Sequence, residues 1–500
     1  MSGSPVVIVG AGIGGLACAL VLAARGHAVT VLEAQPRAGG KLRQVGIDGR
    51  WQDAGPTVFT MRWVFDELFA LAGAHLQDCL QLQQADVLAR HAWPDQSQLD
   101  LHADMRRNED AIGHFAGPAQ VRLYREFCEH ARRTYQVLEH TFMRAHRPNP
   151  LSLAWRVGWR ALPDLVRMSP FRSLWDVLGR YFPDPRLRQL FARYATYCGS
   201  SPFQAPASLM LVAHVEQNGV WFVDGGMVQV ARALETLSRR LGVHFQFGSR
   251  VERVLVRQGR AAGVTLAGGE ILDAAAVVFN GDVAALDGAM LGAHRVPAVE
   301  PERRSLSAIT WNLLSPARGF ALARHTVFFS ADYRSEFDQL QAGELPRDPT
   351  VYVCAHDRDD HSDGSVQGPE RLMCLVNAAA LGDSKCLNAA EMAQLTARVF
   401  EKLGRHGLRL YPDPEHTVVT TPADFHRLFP GTGGGLYGQA SHGWRASFSR
   451  PCARSPLPGL YLAGGSTHPG PGVPMAALSG RLAAQCVVDD FERDATRRLK

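Results

Sequence analysis

Apolar positions change period twice within the first 32 residues, and the change sets out the start of the chain. Val6 to Val9 is a short, continuous, β-branched run suited to a strand buried on both faces. Residues 16–25 read as a helix that Gly26 ends, and Val29 to Leu32 repeats the strand pattern. Gly10, Gly12 and Gly15 lie in the turn between the first strand and the helix. Strand, glycine turn, helix and strand predict the opening of a Rossmann-like α/β unit with a parallel sheet.

Further on, the pattern alternates between helical and strand periods. Residues 63–72 place Val64, Leu68 and Leu71 on one helical face, and residues 85–110 alternate apolar and polar groups as strands of a second unit do. Residues 108–140 turn helical, with Phe115, Val121, Tyr124, Phe127, Ala131, Tyr135 and Leu138 as a core stripe. Residues 230–241 form a clear helix on Ala231, Leu234 and Leu237. A β-meander over residues 243–267 and a buried strand over residues 274–279 follow. Strand candidates at residues 307–313, 326–329, 350–355 and 372–376, with a helix over 389–403, predict an antiparallel sheet under covering helices. Residues 458–478 repeat strand and glycine turn, and a helix then runs to about Phe491.

One segment supports two readings. In residues 151–182, Leu151, Trp155, Trp159 and Leu162 share one helical face and Arg156 and Arg160 another, with Pro163 dividing two short helices. Trp and Leu opposite Arg suits a helix lying in a lipid headgroup interface. The same pattern suits an amphipathic helix facing a protein core.

Composition narrows the class. Five hundred residues predict more than one unit, and 46% hydrophobic with 20% charged residues describes a globular chain with a large core. A formal charge of +5, without basic and aromatic clustering, argues against nucleic acid. Nine scattered cysteines with no C-x-x-C pair favour reduced thiols and a cytoplasmic setting over disulfides or zinc. The early first strand leaves no room for a signal peptide, and no run of eighteen apolar residues could span a bilayer.

The chemistry starts at the first turn. Gly10, Gly12 and Gly15 have G-x-G-x-x-G spacing, which lets backbone approach a pyrophosphate at a helix N-terminus. Glu33 ends the second strand, where a carboxylate accepts hydrogen bonds from an adenosine ribose and disfavours the 2′-phosphate of NADP. Two other features are weaker. Asp359, His361, Asp363, Gly364 and Glu370 have calcium-loop spacing, but His at the third position and flanking strands mark a polar hairpin loop. His468 could be a general base, though its glycine and proline setting reads better as a turn shaping a pocket.

Arg37 to Arg43, reading R-A-G-G-K-L-R, and the terminal Gly465 to Pro474 decide which dinucleotide is expected. The chain resembles the carotenoid and phytoene desaturase family of flavoproteins, in which an R-x-G-G-[KR] segment and a G-x-G-T-H-P-G-x-G-[IV]-P turn occur. The resemblance covers essentially the whole chain and implies FAD. It implies a discontinuous FAD domain of residues 1–85, 220–285 and 450–500, with an inserted α+β substrate domain of residues 86–219 and 286–449. It assigns the cofactor to Gly10, Gly12, Gly14, Gly15, Glu33, Gly40, Lys41, Thr57, Val58, Val251, Gly465, Val473 and Met475. Gly465 and Ser466 stand where many relatives of the wider superfamily carry an acid for a ribityl hydroxyl.

Narrower features are Gly55 to Met61, Tyr197 to Phe203 with Ala213 to Glu216, and Gly219 to Trp221 before Gly225-Gly226-Met227. They are most similar to the bacterial 1-hydroxycarotenoid 3,4-desaturase branch. The reaction implied is loss of a hydride from an allylic carbon to flavin, then of a proton, giving a C-3,4 double bond in a carotenoid of hydroxyneurosporene type. The polyene spreads the developing charge, so positioning dominates, and no catalytic side chain is assigned. A lipid-soluble substrate strengthens the membrane-surface reading of residues 151–182 and implies peripheral lipid as a partner. The alternatives are a phytoene-type desaturase, a carotene isomerase, or a non-catalytic prenyl-protein escort.

Overall fold

The computed structural model describes residues 5–146, 171–286, 288–292, 299–359, 366 and 368–498. Val6–Val9 lies at the middle of a five-stranded sheet, in the order Leu460–Leu462, Ala276–Phe279, Val6–Val9, Val29–Leu32, His244–Gln246. All its pairs are parallel, so strands from opposite ends of the chain share one sheet. The first helix runs from Ile13 to Ala24, three residues earlier than the apolar pattern predicts, because Gly14 and Gly15 form its opening turn. All of its residues except Ala24 are buried, packed among Val230, Ala231 and Leu234 on one side and Ala477, Ala484 and Val487 of the last helix on another. On the sheet's other face, Val7, Val277 and Leu460 pack with Val254 and Val264 of a three-stranded antiparallel sheet.

The second sheet has seven strands, ordered Thr417–Thr420, Ser307–Ser315, Glu370–Ala378, Val351–Ala355, His325–Phe328, Val87–Ala92, Gln98–His102. It is mixed and not purely antiparallel, since His325–Phe328 and Val87–Ala92 run parallel. Ser307–Ser315 is buried along its full length. Leu395, Val399 and Leu403 of helix Ala389–Arg405 cover Ile309, Trp311 and Leu313 on one side. Val327 and Phe329 pack into a helical layer with Phe127, Leu178 and Phe191. The single helix expected at residues 108–140 is two, Met105–Ala116 and Pro118–Leu138, broken at Gly117 with φ +92°.

Two expectations are corrected or bounded, and one element is new. Leu174, Val177 and Leu178 of helix Leu174–Tyr181 are buried in the second core, so this end of the candidate membrane segment faces protein; residues 151–170 lie outside the described residues. In the calcium-like loop, His361, Asp363 and Gly364 also lie outside them, whereas Glu370 is committed to a buried bidentate pair with Arg358 at 2.7 and 2.8 Å. A hairpin of Gln44–Ile47 and Arg50–Asp53, absent from the sequence reading, turns on Asp48 and Gly49, both with positive φ. Among the described residues no helix is long and apolar enough to cross a membrane.

Candidate functional site

The nucleotide edge is assembled from backbone. Gly10 adopts φ +98° and donates its N–H to Leu32 at 2.7 Å, turning the chain from strand to helix. Gly12 is the N-cap, no side chain caps this helix, and its first turn holds no acid. The amides there are thus left for an anion, which the helix dipole favours. A Cβ on Gly15 would overlap the Gly10 carbonyl oxygen, and one on Gly14 would meet the Gly464 nitrogen at 2.9 Å. Both glycines are therefore fixed by close packing.

Glu33 is buried at the end of its strand. One carboxylate oxygen accepts from Ala11 N–H at 2.7 Å and the other from Gln35 N–H at 2.9 Å. Each oxygen keeps a lone pair for a ribose hydroxyl. Gly39 donates to the Ala11 carbonyl at 3.0 Å, and Gly40 lies against Gly12, so the second glycine pair closes over the first loop. Ser249, two residues before Val251, donates to the Glu33 carbonyl at 2.8 Å and brings that strand to the same edge. These features fit an adenine dinucleotide: uncapped amides for the pyrophosphate, a carboxylate for the ribose, and no room for larger side chains.

Asn280 was missed in the sequence. It follows a buried strand, donates its Nδ2 to the Gly10 carbonyl at 3.1 Å, and fills the space beside Gly12, Gly14 and Gly15. Its only sequence signal was its place at the end of the strand that pairs with Val6–Val9. The terminal turn lacks an acid, and Ser466 Oγ instead accepts from Val283 N–H at 3.1 Å. Arg450 is buried and donates to the carbonyls of Tyr437, Gln439 and Gly465, which ties Gly465 to the facing loop.

Lys41, Thr57, Val58, Val473 and Met475 line a different space, a cavity of about 640 Å³ that opens beside the glycine edge. Eleven of the thirteen assigned residues thus fall into two groups, with Val251 and Gly465 outside the cavity lining. Gly10, Gly12, Gly14, Gly15, Glu33 and Gly40 gather at the sheet edge, and these five continue into the cavity. Lys41 donates Nζ to the Leu436 carbonyl at 2.5 Å, and burial pulls its ammonium below the ordinary lysine range. The cavity wall is mostly apolar, with Leu138, Phe142, Leu209, Val212 and Phe448 among its residues. Its polar groups include Arg193, Tyr197, Glu216, His325 and Tyr352. Tyr197 and Tyr194 each donate to Glu216 at 2.7 Å, and Arg193 donates to Tyr197 Oη at 2.8 Å.

His468 is buried edge-to-face on Phe142 at 4.8 Å and is not among the residues lining the cavity, which fits a turn residue better than a base. Burial drives its pKa down to about 4. Among the described residues no cluster of His, Cys, Asp and Glu could hold a metal ion, and the nine cysteines are free thiols.

Residues 13–488 match the family model described as flavin containing amine oxidoreductase. The hydroxyneurosporene desaturase of Rubrivivax gelatinosus is 53% identical over 99% of this chain and 95% of its own length. That of Cereibacter sphaeroides is 44% identical over 97% of this chain and 98% of its own. Among solved structures, putrescine oxidase shares the fold, with a TM-score of 0.59 at 16% identity over 97% of this chain and 99% of that one.

Proposed function

The chain belongs to the flavin-containing amine oxidoreductase family, and we propose that within it the protein is an FAD-dependent carotenoid desaturase that introduces a C-3,4 double bond into an acyclic 1-hydroxycarotenoid. The observation that carries this reading is the mostly apolar cavity of about 640 Å³ that has Lys41, Thr57, Val473 and Met475 among its lining residues. A hydrocarbon substrate needs such walls, and charged amines do not. The relatives named as hydroxyneurosporene desaturases support the choice of pigment.

When bound, FAD supplies the two-electron oxidant that removes two hydrogens from a carbon–carbon bond. The uncapped helix N-terminus, Glu33 and Gly40 would hold its adenosine and pyrophosphate, and Thr57, Val58, Val473 and Met475 would face its ring. Leu138, Phe142, Val212 and Phe448 line the cavity and would shield the polyene from water, so the protein would contribute mainly position. In this reading residues 1–85, 220–285 and 450–500 form the flavin unit and residues 86–219 and 286–449 the substrate unit.

Expression in cells that accumulate neurosporene, hydroxyneurosporene or lycopene tests the reading. Hydroxyneurosporene should gain one double bond. Added double bonds in neurosporene but not in hydroxyneurosporene would favour the phytoene-type alternative, a change of geometry alone the isomerase, and protein without flavin absorbance an escort.

We infer from the same substrate a cytoplasmic position on a membrane surface, a reading supported by Trp155 and Trp159 opposite arginines in the sequence and by Phe171, 78% exposed beside the cavity residue Trp444. Trp155→Glu with Trp159→Glu should release the protein from sedimented membranes and leave FAD bound. Unchanged sedimentation would refute surface attachment.

A further inference from the structure

We propose that His325, held in place by Tyr352, binds the terminal hydroxyl of the carotenoid and so sets which carbon–carbon bond lies against the flavin. The inference rests on the desaturase reading above.

An apolar cavity grips a polyene without direction. Leucine, valine and phenylalanine walls hold it equally well one or two carbons along, yet a single desaturation requires one bond to stop at the flavin. A polar anchor for a substrate end supplies that stop. The hydroxyl of such a pigment is on C1, two bonds from C3, so the anchor must be close to the flavin-facing residues.

His325 meets that requirement. The residue is 3% exposed and lines the cavity. Nδ1 is 2.7 Å from Tyr352 Oη, which is in turn 2.8 Å from Thr57 Oγ1 in the segment assigned to the flavin. Stacking on Tyr352, with centroids 6.0 Å apart at 19°, and contact with Phe222 at 5.7 Å restrict rotation of the ring. Nε2 is buried and has no hydrogen-bond partner among the described residues. A buried ring nitrogen left unpaired is costly, and among the described residues His325 is the one histidine that lines the cavity, where a ligand group would relieve that cost.

The ring is also in the right protonation state. Burial first, and then the positive charges of Arg324 and Arg193, hold it well below the usual histidine range. A neutral imidazole offers one donor and one acceptor, and an uncharged hydroxyl can satisfy either at Nε2. Of the neighbouring polar groups, both Glu216 oxygens accept from tyrosines and one Arg193 nitrogen donates to Tyr197, whereas Arg193 Nε, a donor only, and Thr310 Oγ1 have no partner among the described residues.

The test uses the FAD-loaded protein and its His325→Leu, His325→Gln and Tyr352→Phe variants. The Kd for hydroxyneurosporene and for neurosporene is read from the change each makes in the flavin absorption, and turnover is followed by pigment analysis. His325→Leu should weaken hydroxyneurosporene at least tenfold and change neurosporene by less than about twofold. His325→Gln should recover part of the preference, and Tyr352→Phe should lower it less than His325→Leu. Equal losses for both pigments, or an unchanged ratio, would overturn the assignment. If His325→Leu fails to retain flavin, the ratios of the other two variants decide. Failure of the unmodified protein to desaturate either pigment would instead refute the desaturase reading.

Discussion

The nucleotide edge and the cavity wall adjoin where Gly40 is followed by Lys41, yet they are built in opposite ways. The edge is mostly main chain: glycines packed so tightly that added atoms collide, with Glu33 and Asn280 as polar side chains that bond to the loop. The wall is side chain, drawn from residues 41 to 475 and held on a rigid seven-stranded sheet. A site that must grip one invariant cofactor can use backbone, whereas one that distinguishes similar pigments needs side chains that can vary. The edge is therefore sensitive to gain of volume, and the wall to loss of a polar partner.

The strongest way to break the wall's support is to remove one half of its buried ion pair. Glu370→Gln leaves Arg358 uncompensated between strands and should cost about 3–5 kcal/mol of stability in chemical denaturation. Acid acts on the same sheet. Burial lowers His91 and His356 to about 3 and holds His325 well below its usual range, whereas the unfolded residues titrate near 6.5. As pH falls from about 6.5 towards 3, the unfolded chain takes up protons that the folded one refuses. Stability should accordingly fall by about 1 kcal/mol per histidine between pH 7 and 5.5. A Tm that is flat over that range would place the charge change elsewhere.

The edge responds to the reverse change. In Gly15→Ala the new Cβ overlaps the Gly10 carbonyl, and overpacking of about 1–3 kcal/mol should weaken FAD roughly 10- to 100-fold, read from flavin retained after desalting. Away from both sites, Gly49→Ala should cost only about 1 kcal/mol, because φ is +72° but no atom lies within 4 Å of the added carbon.

The same contrast explains what could be read from sequence. Gly10, Gly12, Gly15 and Glu33 lie within 24 residues, and their spacing is the geometry. Strands such as Ser307–Ser315 and Val351–Ala355 were legible because an apolar run needs burial wherever it occurs. The pairing of Thr57, Tyr352 and His325 was not legible. It crosses 295 residues in one hydrogen bond, and nothing in a lone His or Tyr announces a partner at that distance. Tyr197 and Glu216 both fell in segments that carried the resemblance, but only the fold shows that one bonds the other. The hairpin at Asp48-Gly49 had a local turn signal that was overlooked because its strands are short and polar.

The parallel order of the five-stranded sheet has a consequence for how the protein is made. Leu460–Leu462 pairs beside Ala276–Phe279, and the helix after it packs so closely on the first that a Cβ on Gly480 would overlap the Gly14 carbonyl. During synthesis the glycine turn leaves the ribosome about 450 residues ahead of the strand and helix that complete this outer wall. Cofactor loading is thus a late event, and translation stalled before the last strand yields a chain carrying the whole fingerprint without the means to close over its flavin.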